Sequence, residues 1–370
     1  MTETAEAHRF PCGTCGSDMR YLPGSDRMHC DHCGAEEVIE GAGPWGGGAI
    51  VEQDFTAALD ARLPDAELEE TKVLSCTNCG AQVEFEPDTH AAECPFCATP
   101  VVTDTGTHRH IKPRAVLPFL LTEKAARDAM SDWLGRLWFA PGGLQEYARK
   151  GRRLQGVYVP YWTYDAATRS AYRGQRGTVY YETRTVRVNV NGKSQTKQQR
   201  VAKVRWRRTS GQVARAFDDV LILASTSLPK DYTDALAPWD LSGLEPYQPE
   251  YLAGFRAEAY QVPLDEGFTQ AQALMDAQIR RDIKFDIGGD RQRIDDVDTK
   301  ISDITFKHIL LPIWLAAYKY NGKSYRFVVN ARTGAVRGER PWSAWKIAVA
   351  VVLAALVAGA IGYVMAISQQ

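Results

Sequence analysis

Eight cysteines in the first hundred residues constrain the fold of this chain more than any other feature. They form four Cys-x2-Cys pairs, and the spacing Cys-x2-Cys-x14-Cys-x2-Cys occurs twice. The first set is Cys12, Cys15, Cys30 and Cys33, and the second is Cys76, Cys79, Cys94 and Cys97. Two such pairs present four thiolates to one metal ion at about 2.3 Å, the arrangement of a structural zinc site. The spacing therefore predicts two zinc ribbons, over residues 10–36 and 74–99.

In each predicted ribbon, sulfur fills all four metal positions, so the two zinc ions are expected to be structural and not catalytic. Units this small bury too little apolar surface to fold alone, and metal binding supplies their folding free energy. Two other chemistries use the same residues. A single Cys-x2-Cys pair can be redox-active, and secreted chains pair their cysteines in disulfides. A cytoplasmic location disfavours disulfides, and two copies of one spacing disfavour chance, so zinc is the favoured interpretation.

The C-terminal region carries a long apolar segment. From Ile347 to Ile367 the chain reads IAVAVVLAALVAGAIGYVMAI, which is 21 residues without a charge. A helix of this length spans about 30 Å, the thickness of the hydrocarbon core of a bilayer. Trp345 and Lys346 directly precede it, and the positive-inside rule then places the N-terminal bulk in the cytoplasm. The segment is interpreted as a single transmembrane helix in the cell (inner) membrane that anchors the protein by its tail, with a buried core helix as the alternative.

Small residues recur every four positions along this predicted helix, at Ala350, Ala354, Ala358 and Gly362. Such a stripe allows two membrane helices to approach closely. It predicts self-association of the helix into a homodimer. The alternative is that alanine and glycine are simply abundant in the segment.

The two cysteine sets resemble zinc ribbons of the transcription-factor-IIB type. With the C-terminal helix and the segment Leu311-Pro312-Ile313-Trp314, they make the chain similar to bacterial TFIIB-type zinc-ribbon-containing membrane proteins. Proteins of that family are often labelled primosomal protein N′ (replication factor Y), a superfamily II helicase. The resemblance implies a zinc-binding membrane protein, and the label implies a role in DNA replication.

The helicase part of that label finds no support in the sequence. A phosphate-binding loop needs the pattern Gly-x4-Gly-Lys-Ser/Thr. The two Gly-Lys-Ser segments, at 192–194 and 322–324, have Arg187 and Ala317 where the first glycine belongs. Both segments follow an asparagine, which is typical of a β-hairpin turn. The chain also has no Gly-x-Ser-x-Gly or His-Glu-x-x-His motif, so no enzymatic activity is expected.

Residues 37–73 are interpreted as a glycine-rich linker and an acidic segment, and the main domain is expected over 113–340. Strands are expected at 115–119, 157–162, 258–262 and 309–314, and helices at 122–139 and 267–284. The pattern apolar-apolar-Pro-apolar-Trp occurs in both halves, at Tyr158–Trp162 and Leu310–Trp314. The end of the second half, residues 325–336, is similar to the terminal hairpin of a PepSY-like β-α-β-β unit. We therefore predict an α+β domain with an antiparallel sheet, built from a duplicated β-α-β-β unit and covered by two helices, with each proline at a strand edge or bulge.

The net charge of −1 hides an uneven distribution. Residues 1–112 contain 7 Lys/Arg against 20 Asp/Glu, whereas residues 169–215 contain 13 Lys/Arg against the single acid Glu182. Polar and apolar residues alternate on both sides of Asn191-Gly192, which predicts a long basic β-hairpin over 172–215.

The basic residues of this hairpin are candidates for binding an anion. They are Arg184, Arg187, Lys193, Lys197, Arg200, Lys203, Arg205, Arg207 and Arg208. Anionic lipids, nucleic acid and the chain's own acidic N-terminal region are the three candidate partners, and a solvated strand edge protected by charge is the alternative. An acidic cluster, Asp286, Asp290, Asp295, Asp296 and Asp298, is interpreted as a solvated loop, with cation binding as the alternative.

Taken together, these features favour a non-enzymatic, membrane-anchored zinc-ribbon protein. It is expected to bind or scaffold an unidentified protein partner at the cytoplasmic face of the membrane. The alternative is a nucleic-acid-binding protein, associated with DNA replication or transcription, that uses the basic hairpin. The acidic character of the ribbons opposes direct contact of the ribbons with phosphates.

Overall fold

The computed structural model describes residues 10–41, 49–60, 63–64, 67–84, 91–97, 99–102, 106–139, 154–190, 193–320, 323–339 and 343–368. Its helices are α1 (Phe55–Leu59), α2 (Glu123–Gly135), α3 (Lys230–Asp234), α4 (Leu264–Ile287) and α5 (Ala344–Ser368). Two short 3-10 turns, Leu241–Gly243 and Pro249–Leu252, lie between α3 and α4.

The two cysteine-containing segments each build short antiparallel strands. Ribbon 1, residues 10–41, contains β1 (Arg20–Tyr21), β2 (Arg27–His29) and β3 (Glu36–Val38), and β4 (Gln53–Asp54) follows it. Ribbon 2, within residues 67–111, contains β5 (Leu68–Ser75), β6 (Gln82–Glu84), β7 (Ala91–Glu93), β8 (Pro100–Val102) and β9 (Gly106–Ile111). Because β5 pairs with both β6 and β9, ribbon 2 extends beyond the predicted range 74–99.

Three long strands form the centre of a nine-stranded sheet. β11 (Gln155–Val190) lies between β12 (Lys193–Leu223) and β15 (Arg291–Tyr320) and is antiparallel to both. The shorter members are β4, β10 (Ala115–Val116), β13 (Glu245–Pro246), β14 (Arg256–Ala257), β16 (Lys323–Asn330) and β17 (Val336–Gly338). The hairpin of β11 and β12 is therefore longer than the predicted range 172–215.

Two parallel pairings make the sheet mixed, so the prediction of an antiparallel sheet is wrong in this respect. β10 pairs in parallel with β15, with Ala115 opposite Ile309. β14 pairs in parallel with β11, with Arg256 opposite Val157. The partners in each pair lie about 100 to 200 residues apart in the chain, so no local pattern in the sequence indicates their direction.

Other predicted elements differ from the structure at their ends. The helix predicted over 122–139 is α2, which stops at Gly135, and the one predicted over 267–284 is three residues longer at each end. The strand predicted over 258–262 is wrong, since β14 ends at Ala257. Beyond it, the N–H groups of Gln261 and Val262 both donate to the carbonyl of Ala224.

The two prolines of the repeated pattern lie where a strand pairing ends. Pro160 is opposite Leu310 in the central pair, and β12 pairs with β11 only from Tyr161 onward. Pro312 occupies the equivalent position, because β16 pairs with β15 only from Ile313 onward. Neither proline therefore lies where the sheet would need a hydrogen bond from the N–H group that proline lacks.

Each ribbon packs against a different face of the sheet at its base, the end where β11 begins. On one face, Val116, Tyr158 and Trp314 pack with α2 and with the buried side chains of ribbon 1, including Tyr21. On the other face, Val157 and Leu311 lie in one cluster with the buried side chains of ribbon 2, including Phe96. Side chains alternate across a strand, so neighbouring residues of β11 and β15 serve opposite ribbons. The ribbon interiors are thus continuous with the interior of the body.

The long helix α4 covers the next part of the sheet, on the face that also carries α2. Phe268, Ala271 and Met275 pack with Trp162, Tyr164 and Phe306, and Ile279, Ile283 and Ile287 continue the contact toward Tyr172. The apolar residues recur every three to four positions, which gives the helix one buried stripe. We call this face of the sheet the helix face and the other the open face.

Candidate functional site

The eight cysteines form the two four-sulfur clusters that the spacing predicts. Within each cluster the sulfur atoms lie within 4.8 Å of one another. Close pairs such as Cys12–Cys33 and Cys76–Cys97 are 3.5 Å apart. Sulfurs at about 2.3 Å from a tetrahedral zinc ion lie about 3.8 Å apart, whereas a disulfide bond measures about 2.05 Å. The geometry fits two zinc ions and is not that of disulfides.

Backbone N–H groups around the cysteines favour the thiolate form that zinc requires. Gly16, Gly34 and Gly80 follow three of the pairs with φ of 75°, 75° and 74°, a conformation that glycine adopts without strain. The turn preceding Gly16 brings amide groups toward the sulfurs. Hydrogen bonds from the backbone of Thr14 lower the pKa of Cys12, and those from Ser17 lower the pKa of Cys15 to about 6.

The two clusters differ in their exposure, although their spacing is identical. In ribbon 1, Cys15 and Cys33 are exposed and the other two cysteines are buried. In ribbon 2, three cysteines are buried and Cys79 is half-buried. The two ribbons differ in how many of their cysteines lie in the apolar cluster shared with the body: Cys12 and Cys30 in ribbon 1, but Cys76, Cys94 and Cys97 in ribbon 2.

The predicted anion-binding residues lie on both faces of the distal part of the hairpin. We call this part the arm, and define it as residues 178–190 of β11 with residues 193–205 of β12. The register of β11 and β12 assigns Arg184, Lys193, Lys197, Lys203, Arg205 and Arg207 to the helix face. It assigns Arg187, Arg200 and Arg208 to the open face. Arg207 and Arg208 lie just below the arm, and the side chain of Lys193 is outside the described residues.

Several of these cations lie over aromatic rings. The guanidinium carbon of Arg205 is 5.2 Å from the ring centroid of Tyr180, and that of Arg200 is 4.9 Å from Tyr181. At the base of the arm, Arg293 of β15 lies 4.1 Å from the ring of Trp206. Such contacts hold the planar guanidinium groups in fixed positions while leaving their N–H donors accessible.

The aspartates at 286–298 are exposed, as the sequence predicted, but most of them lie in a helix or a strand and not in a loop, and they contact the hairpin. Asp295, Asp296 and Asp298 lie in β15, and Asp286 lies in α4 and accepts a hydrogen bond from Tyr172. An Asp296 carboxylate oxygen is 2.7 Å from Arg173. Asp290 accepts from the backbone N–H of Val179 at 2.7 Å. Within the described residues, these carboxylates do not form a group with metal-ligand spacing.

The C-terminal segment is the helix α5, and its apolar side chains are exposed. Over Ala344–Gly362 none of its surface is buried inside the molecule, which is the pattern of a helix that can cross a membrane. The alternative of a buried core helix is therefore wrong. Ala350, Ala354, Ala358 and Gly362 lie along this helix, and no neighbouring atom lies within 4 Å of the Cβ position of Gly362.

A buried charge cluster is the main feature that sequence reasoning missed. Lys307 is 8% exposed, and its Nζ atom lies 2.8 Å from Asp219, 3.0 Å from Glu52 and 3.6 Å from Asp165. Lys307 and its three carboxylate partners lie in four separate segments of the chain, which meet only when the sheet is assembled, so the sequence carries no signal for the cluster. The ammonium group offsets part of the negative charge of the three carboxylates and joins the segment before β4 to the three long strands.

Glu258 is a second buried ionisable group without a sequence signal. Its carboxyl group is fully buried between ribbon 2 and the body, and the backbone of Glu258 bridges to Val83. It accepts hydrogen bonds from Ser225 at 2.8 Å and from Ser227. Burial raises the pKa of this carboxyl to about 8 despite those hydrogen bonds.

Comparison with known proteins gives one relative and no fold assignment. The chain is 25% identical over 348 residues to a protein of Bacillus subtilis (strain 168) named "Uncharacterized protein YdjG", and the alignment covers 92% of each chain. No family model matches the chain, and no solved structure matches it. The relative therefore has a similar length but assigns no activity to this chain.

Proposed function

We propose that this chain is a non-enzymatic, membrane-anchored zinc-ribbon protein that presents a binding surface at the cytoplasmic face of the membrane. One observation carries the proposal: two closed four-cysteine clusters and an exposed apolar helix occur at opposite ends of one chain. Closed four-thiolate sites leave no position for a substrate or water, so they stabilise structure. The helix supplies the anchor, and the sheet between them carries the long hairpin.

We also propose that the body consists of two copies of one β-α-β-β unit. The first unit is β10, α2, β11 and β12, and the second is β14, α4, β15 and β16. Their contacts are reciprocal: Trp162 donates to the carbonyl of Val262 just before α4, and Trp314 donates to that of Leu121 just before α2. Both distances are 2.9 Å. The reciprocal parallel pairings of β10 and β14 support the same interpretation.

Deletion of residues 344–368 tests the anchor. Because α5 is the apolar helix that the described chain offers to a bilayer, we expect the truncated protein to move from the membrane fraction to the soluble fraction. Its metal content, measured by atomic absorption, should remain at two zinc ions per chain, one for each cluster. A matched control replaces residues 178–205 by a short glycine-serine turn and should stay in the membrane fraction. Retention of the truncated protein in membranes would contradict the proposal.

A further inference from the structure

The arm projects beyond the rest of the sheet. β15 begins at Arg291, which is opposite Gly177, and α4 ends at Ile287. In the part of the chain that the structure describes, the arm therefore has neither a third strand nor a covering helix. Its 13-residue strands extend for about 40 Å at about 3.3 Å per residue. Both faces of this two-stranded ribbon are accessible.

The arm holds most of the unneutralised positive charge of the hairpin. It contains seven Lys/Arg residues and one acid, Glu182, which forms an ion pair with Lys203. Among the described residues, no acidic side chain lies within ion-pair distance of Arg184, Arg187, Lys197, Arg200 or Arg205. Nearer the base, by contrast, Arg215 forms a bidentate pair with Asp282. Cations on the arm are thus available to an external anion.

Because the charges lie on both faces of the arm, they distinguish between two anionic partners, a lipid bilayer and a nucleic acid. A bilayer is flat and contacts one face of a ribbon at a time, so it would leave Arg187 and Arg200 or Arg184 and Arg205 unused. A nucleic-acid groove has phosphates along both walls. The major groove of B-form DNA admits a two-stranded β-ribbon, whereas the major groove of A-form RNA is too narrow for side chains.

The position of the anchor also disfavours the membrane as partner. β17 pairs with β16 at the base of the sheet, and α5 begins a few residues later, where the N–H of Ser343 donates to the carbonyl of Phe139. From the base at Gln155 to the tip at Val190, β11 runs for about 100 Å. The arm and the anchor are therefore at opposite ends of the molecule.

We propose that the arm binds double-stranded DNA, with the ribbon in the major groove and its arginines on the phosphates. The proposal rests on the proposed function for the location of the protein and adds the class of partner. Arginine is suited to this role because its guanidinium group donates two parallel hydrogen bonds to a phosphate. The fixed stacks of Arg200 on Tyr181 and Arg205 on Tyr180 reduce the entropy lost on binding.

The test uses the full chain in nanodiscs of zwitterionic lipid with a fluorescent duplex of mixed sequence. We expect binding whose affinity falls steeply between 50 and 200 mM salt, because each neutralised phosphate releases counterions. The triple variant R184Q/R187Q/R200Q should weaken binding at least about tenfold and lower the salt slope by up to about 2.7. The variant R136Q/R280Q/R281Q removes the same charge from the exposed surfaces of α2 and α4 and should bind like the wild type.

Three outcomes would overturn the inference. The first is the absence of duplex binding at 50 mM salt, and the second is equal binding by the arm variant and the wild type. The third is arm-dependent binding to vesicles that contain phosphatidylglycerol without any binding to DNA. In each case, an arm variant that keeps two zinc ions and stays in the membrane fraction would leave the proposed function standing. Equal melting temperatures of the two triple variants exclude misfolding as the cause.

Discussion

At the scale of single residues, the ionisation of one buried carboxyl group departs from ordinary protein chemistry. Glu258 is a carboxyl group at the contact between ribbon 2 and the body, and three side chains satisfy only one of its two oxygens within the described residues. Charging such a group in an apolar site is costly, and its pKa rises to about 8. The contact between ribbon and body is therefore sensitive to proton concentration.

Glu258 makes the stability of the protein depend on pH. The folded-state pKa is raised above the ordinary value of 4.5, so the folded chain holds a proton that the unfolded chain releases. The stabilisation is complete below pH 4.5 and is lost as the pH rises through about 8. We expect the melting temperature to fall between pH 5 and 8, and the variant Glu258→Gln to show a smaller fall. An identical pH dependence in both proteins would show that the carboxyl is charged when folded.

The exposed sulfurs of ribbon 1 predict unequal metal exchange. Cys15 and Cys33 are accessible to solvent, whereas the cluster of ribbon 2 has three buried cysteines. We expect a chelator to remove zinc in two phases, with the faster phase at least about tenfold quicker, because exchange needs access to the sulfur. The variant Cys12→Ser should lose the fast phase and keep the slow one. Release of both ions at one rate would contradict the assignment.

At the scale of elements, short-range sequence patterns predicted the features that depend on neighbouring residues, but not the contacts between distant segments. The Cys-x2-Cys pairs, the helix predicted from residue 122 and the alternation around Asn191-Gly192 are local patterns, and the structure contains each of them. Asn191 and Gly192 themselves lie outside the described residues. The parallel pairings and the charge cluster at Lys307 depend on segments far apart in the chain. Periodicity of the sequence cannot report such contacts, because a strand pattern has no information about its partner.

The docking of the ribbons is an element-scale feature that no local sequence pattern indicates. The sequence predicted two ribbons with a glycine-rich linker between them, and in the structure Tyr21 packs edge-on against Tyr251 at 5.3 Å and Phe96 is completely buried. Each ribbon covers apolar side chains of β11 and β15 that would otherwise face water. The ribbons are therefore part of the hydrophobic core and not appendages.

A shared core predicts that loss of one metal destabilises the body. In Cys76→Ser, ribbon 2 loses a zinc ligand, and unfolding of the ribbon exposes Val157, Leu311 and their neighbours. We expect a loss of about 3 kcal/mol or more, which lowers the melting temperature of the body by about 6 °C or more. Hydrogen exchange of the backbone amides around the buried Trp162 reports the body directly. Unchanged protection of these amides in a protein that has lost one zinc ion would show that the ribbons fold independently.

At the scale of the whole molecule, the near-zero net charge is a sum of separated charges. The ribbons, which hold most of the excess acid, dock at the base of the sheet, and the arm carries the excess base at the other end. The described contacts of the ribbons are with the body and not with the arm, so they do not support an internal clasp between acidic and basic regions. The molecule is instead an elongated dipole with its membrane helix at the acidic end.

Under the proposed function, the length of β11 sets how far from the bilayer this protein can hold a partner. A tip about 100 Å from the anchor can reach a half-sphere in which one molecule corresponds to a local concentration of about 1 mM. A partner bound weakly at the tip would then stay close to the membrane. The hairpin would act as a spacer as well as a binding surface, and removing two residues from each strand, which keeps the register, would bring the partner closer to the bilayer by about 7 Å.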